Sequence, residues 1–169
     1  QTVRQGLSHT RHRRDRMPQR ELYVGLMSGT SLDGIDAVVV DFVQGRPQVL
    51  ASIAQPLDDS LRRELLDLNS AGADELGRAA CAGNALAHAY ATAVHAVLAV
   101  CGQDAGAVHA IGCHGQTVRH RPDLGYTIQL GNSALLSELT AIAVVSDFRS
   151  RDIAAGGQDD GAIGRPTGG

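Results

Sequence analysis

Apolar positions fall into short runs near the start of the chain and one long periodic stretch in its middle. Leu22–Met27 is a brief apolar run that ends in Ser28-Gly29-Thr30-Ser31-Leu32-Asp33-Gly34. Ile35–Phe42 is rich in Val and alternates poorly, the pattern of a strand covered on both faces. Gly45-Arg46-Pro47 marks a turn, and Gln48–Ala54 reads as a third strand. The period then changes. Asp58, Asp59 and Ser60 supply N-cap candidates for a helix over Leu61–Leu68. Ala73–Val100 repeats Leu76, Ala80, Leu86, Tyr90, Val94 and Val97 at helical spacing, which predicts a long helix with a soft point at Gly83 and an end at Gly102. Val108–Cys113 and Tyr126–Leu130 read as strands, Ser133–Thr140 as a short helix, and Ile142–Ser146 as a buried strand ending at Asp147.

The short connections among the first three strands predict an antiparallel meander. Helices and strands alternate after it, so the fold class is α/β in layers. This order resembles the ribonuclease-H-like N-terminal lobe of the actin-like ATPase, sugar kinase and Hsp70 superfamily.

Composition removes several classes of chemistry. All 15 basic residues are Arg, and the 169-residue chain has no Lys. A Walker A loop, a protein-kinase ATP site and a pyridoxal phosphate Schiff base each need a lysine. Any phosphate bound here must meet backbone N–H groups, hydroxyls, Arg or a metal. Net charge is −3, unevenly spread. Residues 1–20 carry six Arg against Asp15, and the remainder carries nine Arg against seventeen acids. A globular part at −8 argues against a nucleic-acid partner, because such binding neutralises phosphates. The Arg-rich start lacks the apolar core of a secretory signal. It reads as a tail lying upstream of a natural start at Met17. No apolar run is expected to reach the ~20 residues of a membrane span. Cys81, Cys101 and Cys113 are odd in number and lack CxxC spacing, which predicts free thiols and a cytoplasmic protein. Zinc on His109, Cys113 and His114 is disfavoured, because even spacing on a strand holds ligands too far apart to chelate.

Three polar clusters follow predicted strands. Gly29 through Gly34 combines glycines, which admit close approach of backbone to a ligand, with the hydroxyls of Thr30 and Ser31. Asp33 and Asp36 could hold Mg²⁺ through water. The same residues also make an ordinary hairpin loop. In Gly112-Cys113-His114-Gly115-Gln116-Thr117, the polar groups of His114, Gln116 and Thr117 suit a sugar, or a turn that satisfies its own backbone. In Asp147-Phe148-Arg149-Ser150-Arg151-Asp152, Arg149 or Arg151 can grip an anion, or make surface ion pairs. Three polar strand ends on one lobe favour a binding cleft.

Gly25-Leu26-Met27-Ser28-Gly29-Thr30-Ser31-Leu32-Asp33-Gly34-Ile35-Asp36 closely resembles the opening motif of the anhydro-N-acetylmuramic acid kinases. Ile111 to Val118, Gln129-Leu130-Gly131-Asn132, and Asp147-Phe148-Arg149 on through Gln158 resemble three further motifs in the family's order. The resemblance spans about Leu22 to Gln158 and makes 21–158 one kinase lobe. It implies a two-lobed enzyme that uses ATP and Mg²⁺ to phosphorylate 1,6-anhydro-N-acetylmuramic acid. Water attacks the anomeric carbon as the anhydro bridge opens, and O6 takes the γ-phosphoryl group. The product is N-acetylmuramic acid 6-phosphate, in recycling of the bacterial cell wall. The resemblance also admits a homodimer of the full-length protein. The family's ATP-phosphate loop maps onto Gly29, Thr30, Ser31, Leu32, Asp33, Gly34, Ile35 and Asp36, with Asp33 toward the metal. His114, Gln116, Thr117 and Arg149 fall on the sugar side.

After Gln158 the resemblance stops. The family continues Gly-Ala-Pro-Leu-Val-Pro, whereas Gly161-Ala162-Ile163-Gly164 stands here. One codon choice for these four residues, GGC GCC ATT GGT, read one nucleotide later with a following C, gives Ala-Pro-Leu-Val, so residues 159–169 are expected to be a frameshifted tail. The family's water-activating aspartate lies beyond this region. No residue here is assigned as that base, and the chain alone is expected to be inactive. A non-catalytic lobe that binds phosphate or sugar is the alternative.

Overall fold

The computed structural model describes residues 20–29 and 31–157. Thr30, Gln158, the Arg-rich start up to residue 19 and the tail 159–169 lie outside the described residues.

The predicted meander forms. Strands β1 (Leu22–Ser28), β2 (Gly34–Asp41) and β3 (Gln48–Pro56) pair antiparallel, with Leu26 opposite Ala37 and Ala37 opposite Ile53. Strand β4 (Val108–Cys113) pairs parallel to the other side of β1, and a short β7 (Val144–Ser146) pairs parallel to β4. The sheet order is therefore β3-β2-β1-β4-β7.

Alternation along β1 sends Leu22, Val24, Leu26 and Ser28 to one face, and all four are buried. Ile35, Ala37 and Val39 of β2 join them. Helix α2 (Glu75–Cys101) lies across this face and contributes Leu86, Tyr90, Ala93, Val94 and Val97 to the same core. Each such Leu or Val removed from water contributes about 1.5–3 kcal/mol. Helix α1 (Asp59–Asp67) starts two residues earlier than its apolar pattern. The Asp58 carboxylate caps it by accepting from the N–H groups of Ser60 and Leu61 and from the Ser60 hydroxyl. Gly102 ends α2 with φ +63°, as expected of a C-terminal glycine.

Six features depart from the sequence pattern. Gly83 does not soften α2, which is continuous and meets the backbone of Gly131 at this point. By length and composition α2 could cross a membrane, but ten of its residues are buried within the described fold. Tyr126–Leu130 (β6) does not join the main sheet. It pairs with β5 (Gln116–Arg121) in a separate hairpin. Strand β5 is polar throughout except for Val118, so no hydrophobic run marks it. Finally, Ile142 lies outside β7, and Phe148–Ala154 forms a helix, α4, that no apolar pattern marks. Helix α3 (Ser133–Thr140) forms as expected, capped by the Asn132 side chain on the N–H of Leu135.

Candidate functional site

Strands β1, β4 and β7 are parallel neighbours, with Leu26 level with Cys113 and Cys113 level with Ser146. Adjacent strands lie about 4.8 Å apart, so Gly29, His114 and Asp147 leave the sheet side by side. The three polar clusters thus share one edge, the usual place for a ligand in an α/β sheet. The backbone N–H of His114 donates to the Leu26 carbonyl at 3.1 Å, which extends the β1–β4 ladder one residue past Cys113.

The loop from β1 to β2 is a tight turn. The Leu32 N–H donates to the Gly29 carbonyl at 3.1 Å, and Leu32 takes a left-handed φ of +53°. A turn that includes a left-handed residue is a geometry that can aim backbone N–H groups at an anion. The residues of the loop divide by role. Leu32 and Ile35 bury their side chains in the core, so only their backbone can meet a ligand. The Leu32 carbonyl accepts from Arg62 Nε at 3.0 Å, which ties the loop to α1. Gly34 pairs with Pro56, and a Cβ there would sit 2.7 Å from the Gln55 carbonyl oxygen. Its lack of a side chain therefore has a packing cause. Ser31 and Asp33 are exposed, and the Ser31 hydroxyl donates to Asp33 Oδ1 at 2.8 Å. Asp36 lies on β2 opposite Met27, exposed on the sheet face away from α2.

That face carries a shallow cavity of about 550 Å³, lined among others by Gly25, Met27, Asp36, Val38, His114 and Phe148. A smaller polar pocket of about 160 Å³ adjoins it, lined by His114, Gly115, Gln129, Gly131, Ser133, Ser146 and Asp147 among others. His114 borders both. Arg149, on the first turn of α4, donates from Nε to His114 Nε2 at 2.8 Å. Two of the four sugar-side candidates are thus joined directly across 35 residues of sequence.

Gln116 and Thr117 open β5. Gln116 is buried, and its Oε1 has no hydrogen-bond partner among the described residues. Thr117 Oγ1 accepts from Gln129 Nε2 at 3.2 Å, and Gln129 Oε1 is likewise buried without a partner among the described residues. Buried acceptors left unpaired are rare in folded proteins; Gln129 lines the polar pocket, where its oxygen could take a hydroxyl donor from a ligand, whereas Gln116 lines neither cavity. Gln129 is a candidate that residue chemistry alone did not single out. Its signal was the motif Gln129-Leu130-Gly131-Asn132, which ends β6 and caps α3. The buried Cys113 thiol is pushed up from its ordinary pKa by burial, so it is poorly suited to act as a nucleophile.

A layered sheet with a three-strand meander, parallel strand ends gathered at one edge and a glycine-rich first turn defines one lobe of the sugar kinase and actin-like ATPase fold. The model of the family described as anhydro-N-acetylmuramic acid kinase matches residues 21–164. The chain belongs to the anhydro-N-acetylmuramic acid kinase family. It is 64% identical over 138 residues to a protein of that name from Bordetella petrii, a match covering 81% of this chain and 36% of the relative. The protein of that name from Bordetella pertussis is 59% identical over 151 residues, covering 89% of this chain and 40% of the relative. One from Nitrosomonas europaea is 59% identical over 138 residues, covering 80% and 38%. The chain therefore spans well under half the length of these relatives.

Proposed function

We propose that this chain is the first lobe of an ATP-dependent kinase that acts on 1,6-anhydro-N-acetylmuramic acid in the cytoplasm. The reaction opens the 1,6-anhydro ring and yields N-acetylmuramic acid 6-phosphate for cell-wall recycling. The observation that carries the reading is the shared edge. One sheet edge holds an anion-suited turn at the end of β1 and, beyond β4, a polar pocket lined by Gln129 with its unpaired acceptor. Phosphoryl transfer needs those two subsites adjacent, because its catalysis is largely positioning and charge stabilisation.

On this reading the turn from Gly29 to Asp36 cradles the ATP phosphates through backbone N–H groups and the hydroxyls of Thr30 and Ser31. ATP supplies the phosphoryl group, and Mg²⁺ neutralises the charge that develops on it. Among the described residues no three His, Cys, Asp or Glu side chains come together as a metal cage. A Mg²⁺ shared by one carboxylate, waters and phosphate oxygens needs none. Asp33, exposed beside the turn, fits that role. Gln116, Thr117 and Arg149, with His114, form the sugar side. The orphaned oxygen of Gln129 is an acceptor for a sugar hydroxyl, and Arg149 is the cation for an anionic substituent.

A one-sided site neither excludes water nor surrounds the reacting atoms. The 169-residue chain should therefore give no turnover with ATP–Mg²⁺ and the anhydro sugar. The full-length protein built on this lobe should give the phosphorylated, ring-opened product. In that protein, D33N should raise KM for ATP and R149A should raise KM for the sugar. Turnover by the short chain, or an R149A effect confined to ATP, would overturn the assignment. Heat from ATP–Mg²⁺ binding to the short chain in calorimetry, with no catalysis in the full-length protein, would favour a non-catalytic binding lobe.

A further inference from the structure

Arg149 and His114 meet through single, identifiable nitrogens. A guanidinium Nε always carries its hydrogen, so at 2.8 Å Arg149 Nε donates and His114 Nε2 accepts. His114 Nε2 is therefore bare. The second ring nitrogen, Nδ1, lies 2.9 Å from the Gly115 carbonyl oxygen, which can only accept. Nδ1 must then carry the proton. A single neutral tautomer satisfies both contacts, and both ring nitrogens are committed within the protein.

The Gly115 turn makes this arrangement specific. Gly115 has φ +73°, and a Cβ there would lie 2.7 Å from the Leu130 carbonyl oxygen. Only glycine fits that backbone, which brings its own carbonyl beneath the preceding imidazole.

We infer that His114 is a positioning residue for Arg149 rather than a direct sugar ligand. Its ring, locked as the Nδ1–H tautomer by the Gly115 carbonyl, holds the guanidinium by Nε. With Nε committed to His114, Arg149 meets any further partner through its Nη nitrogens. Arg149 is thereby tied to His114, which borders both the apolar cavity and the polar pocket. The inference deepens the sugar-side assignment above and rests on it for its functional consequence.

The test has two arms. Long-range ¹H–¹⁵N spectra of the ¹⁵N-labelled chain, assigned by loss of the signal in H114A, should show His114 protonated at Nδ1 and bare at Nε2. Free histidine prefers the other tautomer. Hydrogen exchange at Arg149 Nε should accelerate at least about tenfold in H114A, the factor that one hydrogen bond to a charged group supports. H114Q, whose Oε1 can replace Nε2 as acceptor, should restore the slow exchange. A protonated Nε2, or exchange unchanged in H114A, overturns the inference. In the second arm, on the full-length protein, H114A should raise KM for the anhydro sugar and H114Q should recover it. A confirmed tautomer and pairing with no change in KM in either H114A or R149A upholds the pair and overturns the sugar-side reading instead.

Discussion

The Tyr90 hydroxyl and Ser28 Oγ lie 2.7 Å apart, both buried, and join the middle of α2 to the last residue of β1. This bond fixes the point from which the candidate phosphate turn departs. It is sealed from water: burial pushes the Tyr90 pKa above its ordinary value of 10.0, against the opposing effect of the bond itself. Removing either partner strands the other. Y90F and S28A should each cost about 1–3 kcal/mol, the range for an unsatisfied buried polar group. The double variant should cost less than the two singles together, because neither hydroxyl is then left unpaired. Urea unfolding of the four proteins measures this. Additive costs would mean that the two hydroxyls are not coupled.

The same tyrosine sets an alkaline limit. Its folded pKa is raised, so its contribution to stability is complete below pH 10 and declines as the unfolded chain ionises above that. Unfolding free energy measured from pH 9 to 11 should fall less steeply in Y90F than in the parent chain.

Gly34 shows what a motif can conceal. In the sequence it closes a glycine-rich turn, and the phosphate-cradle reading accounts for it. In the structure a side chain there would meet the Gln55 carbonyl at 2.7 Å, so the glycine serves the β2–β3 pairing. G34A should therefore destabilise the ligand-free chain by about 1–3 kcal/mol, the usual cost of overpacking. Thermal melts without nucleotide decide the point. An unchanged melting temperature would leave ligand approach as the reason for the glycine.

Much of the architecture was legible because burial writes itself into spacing. The Val-rich run 35–42 and the helical repeat of Leu86, Tyr90, Val94 and Val97 both face one core, and both elements formed where the pattern put them, although β2 buries one face only and leaves Asp36 exposed on the face expected to be covered. The common edge of the three clusters followed from strand order. What stayed hidden depends on contacts rather than period. Strand β5 pairs only with β6 and buries Gln116 and Val118 amid polar neighbours. Helix α4 is seven residues long and contains no fully buried side chain, so it leaves no amphipathic stripe. The His114–Arg149 bond spans 35 residues, and no local pattern announces it.

Cysteine reactivity should separate by burial. Cys81 is exposed on α2, whereas Cys113 is buried at the end of β4 with its thiol pKa raised. Iodoacetamide at pH 8, followed by peptide mass mapping, should label Cys81 fully while Cys113 stays unmodified until denaturant is added. Rapid labelling of Cys113 in the native chain would mean that the β1–β4–β7 edge opens readily.

Helices α1 and α2 are clamped through Arg78, which pairs closely with Glu64 and more loosely with Asp67 at 3.7 Å. Arg78 on α2 donates from Nε and Nη2 to the two carboxylate oxygens of Glu64 on α1, at 2.7 and 2.8 Å. This paired hydrogen bond holds the Glu64 pKa below its ordinary value of 4.5 and raises that of Arg78. The sign follows from the depressed folded value. The unfolded chain takes up the proton first, so the contribution is whole above pH 4.5 and is lost as pH falls through the folded pKa. E64Q keeps the shape but removes the charge, and should lower the melting temperature at pH 7 while converging on the parent chain near pH 3. Because the pair is partly exposed, added salt should also narrow the gap at pH 7. A difference that persists undiminished at pH 3 would show that Glu64 acts through packing and not through its charge.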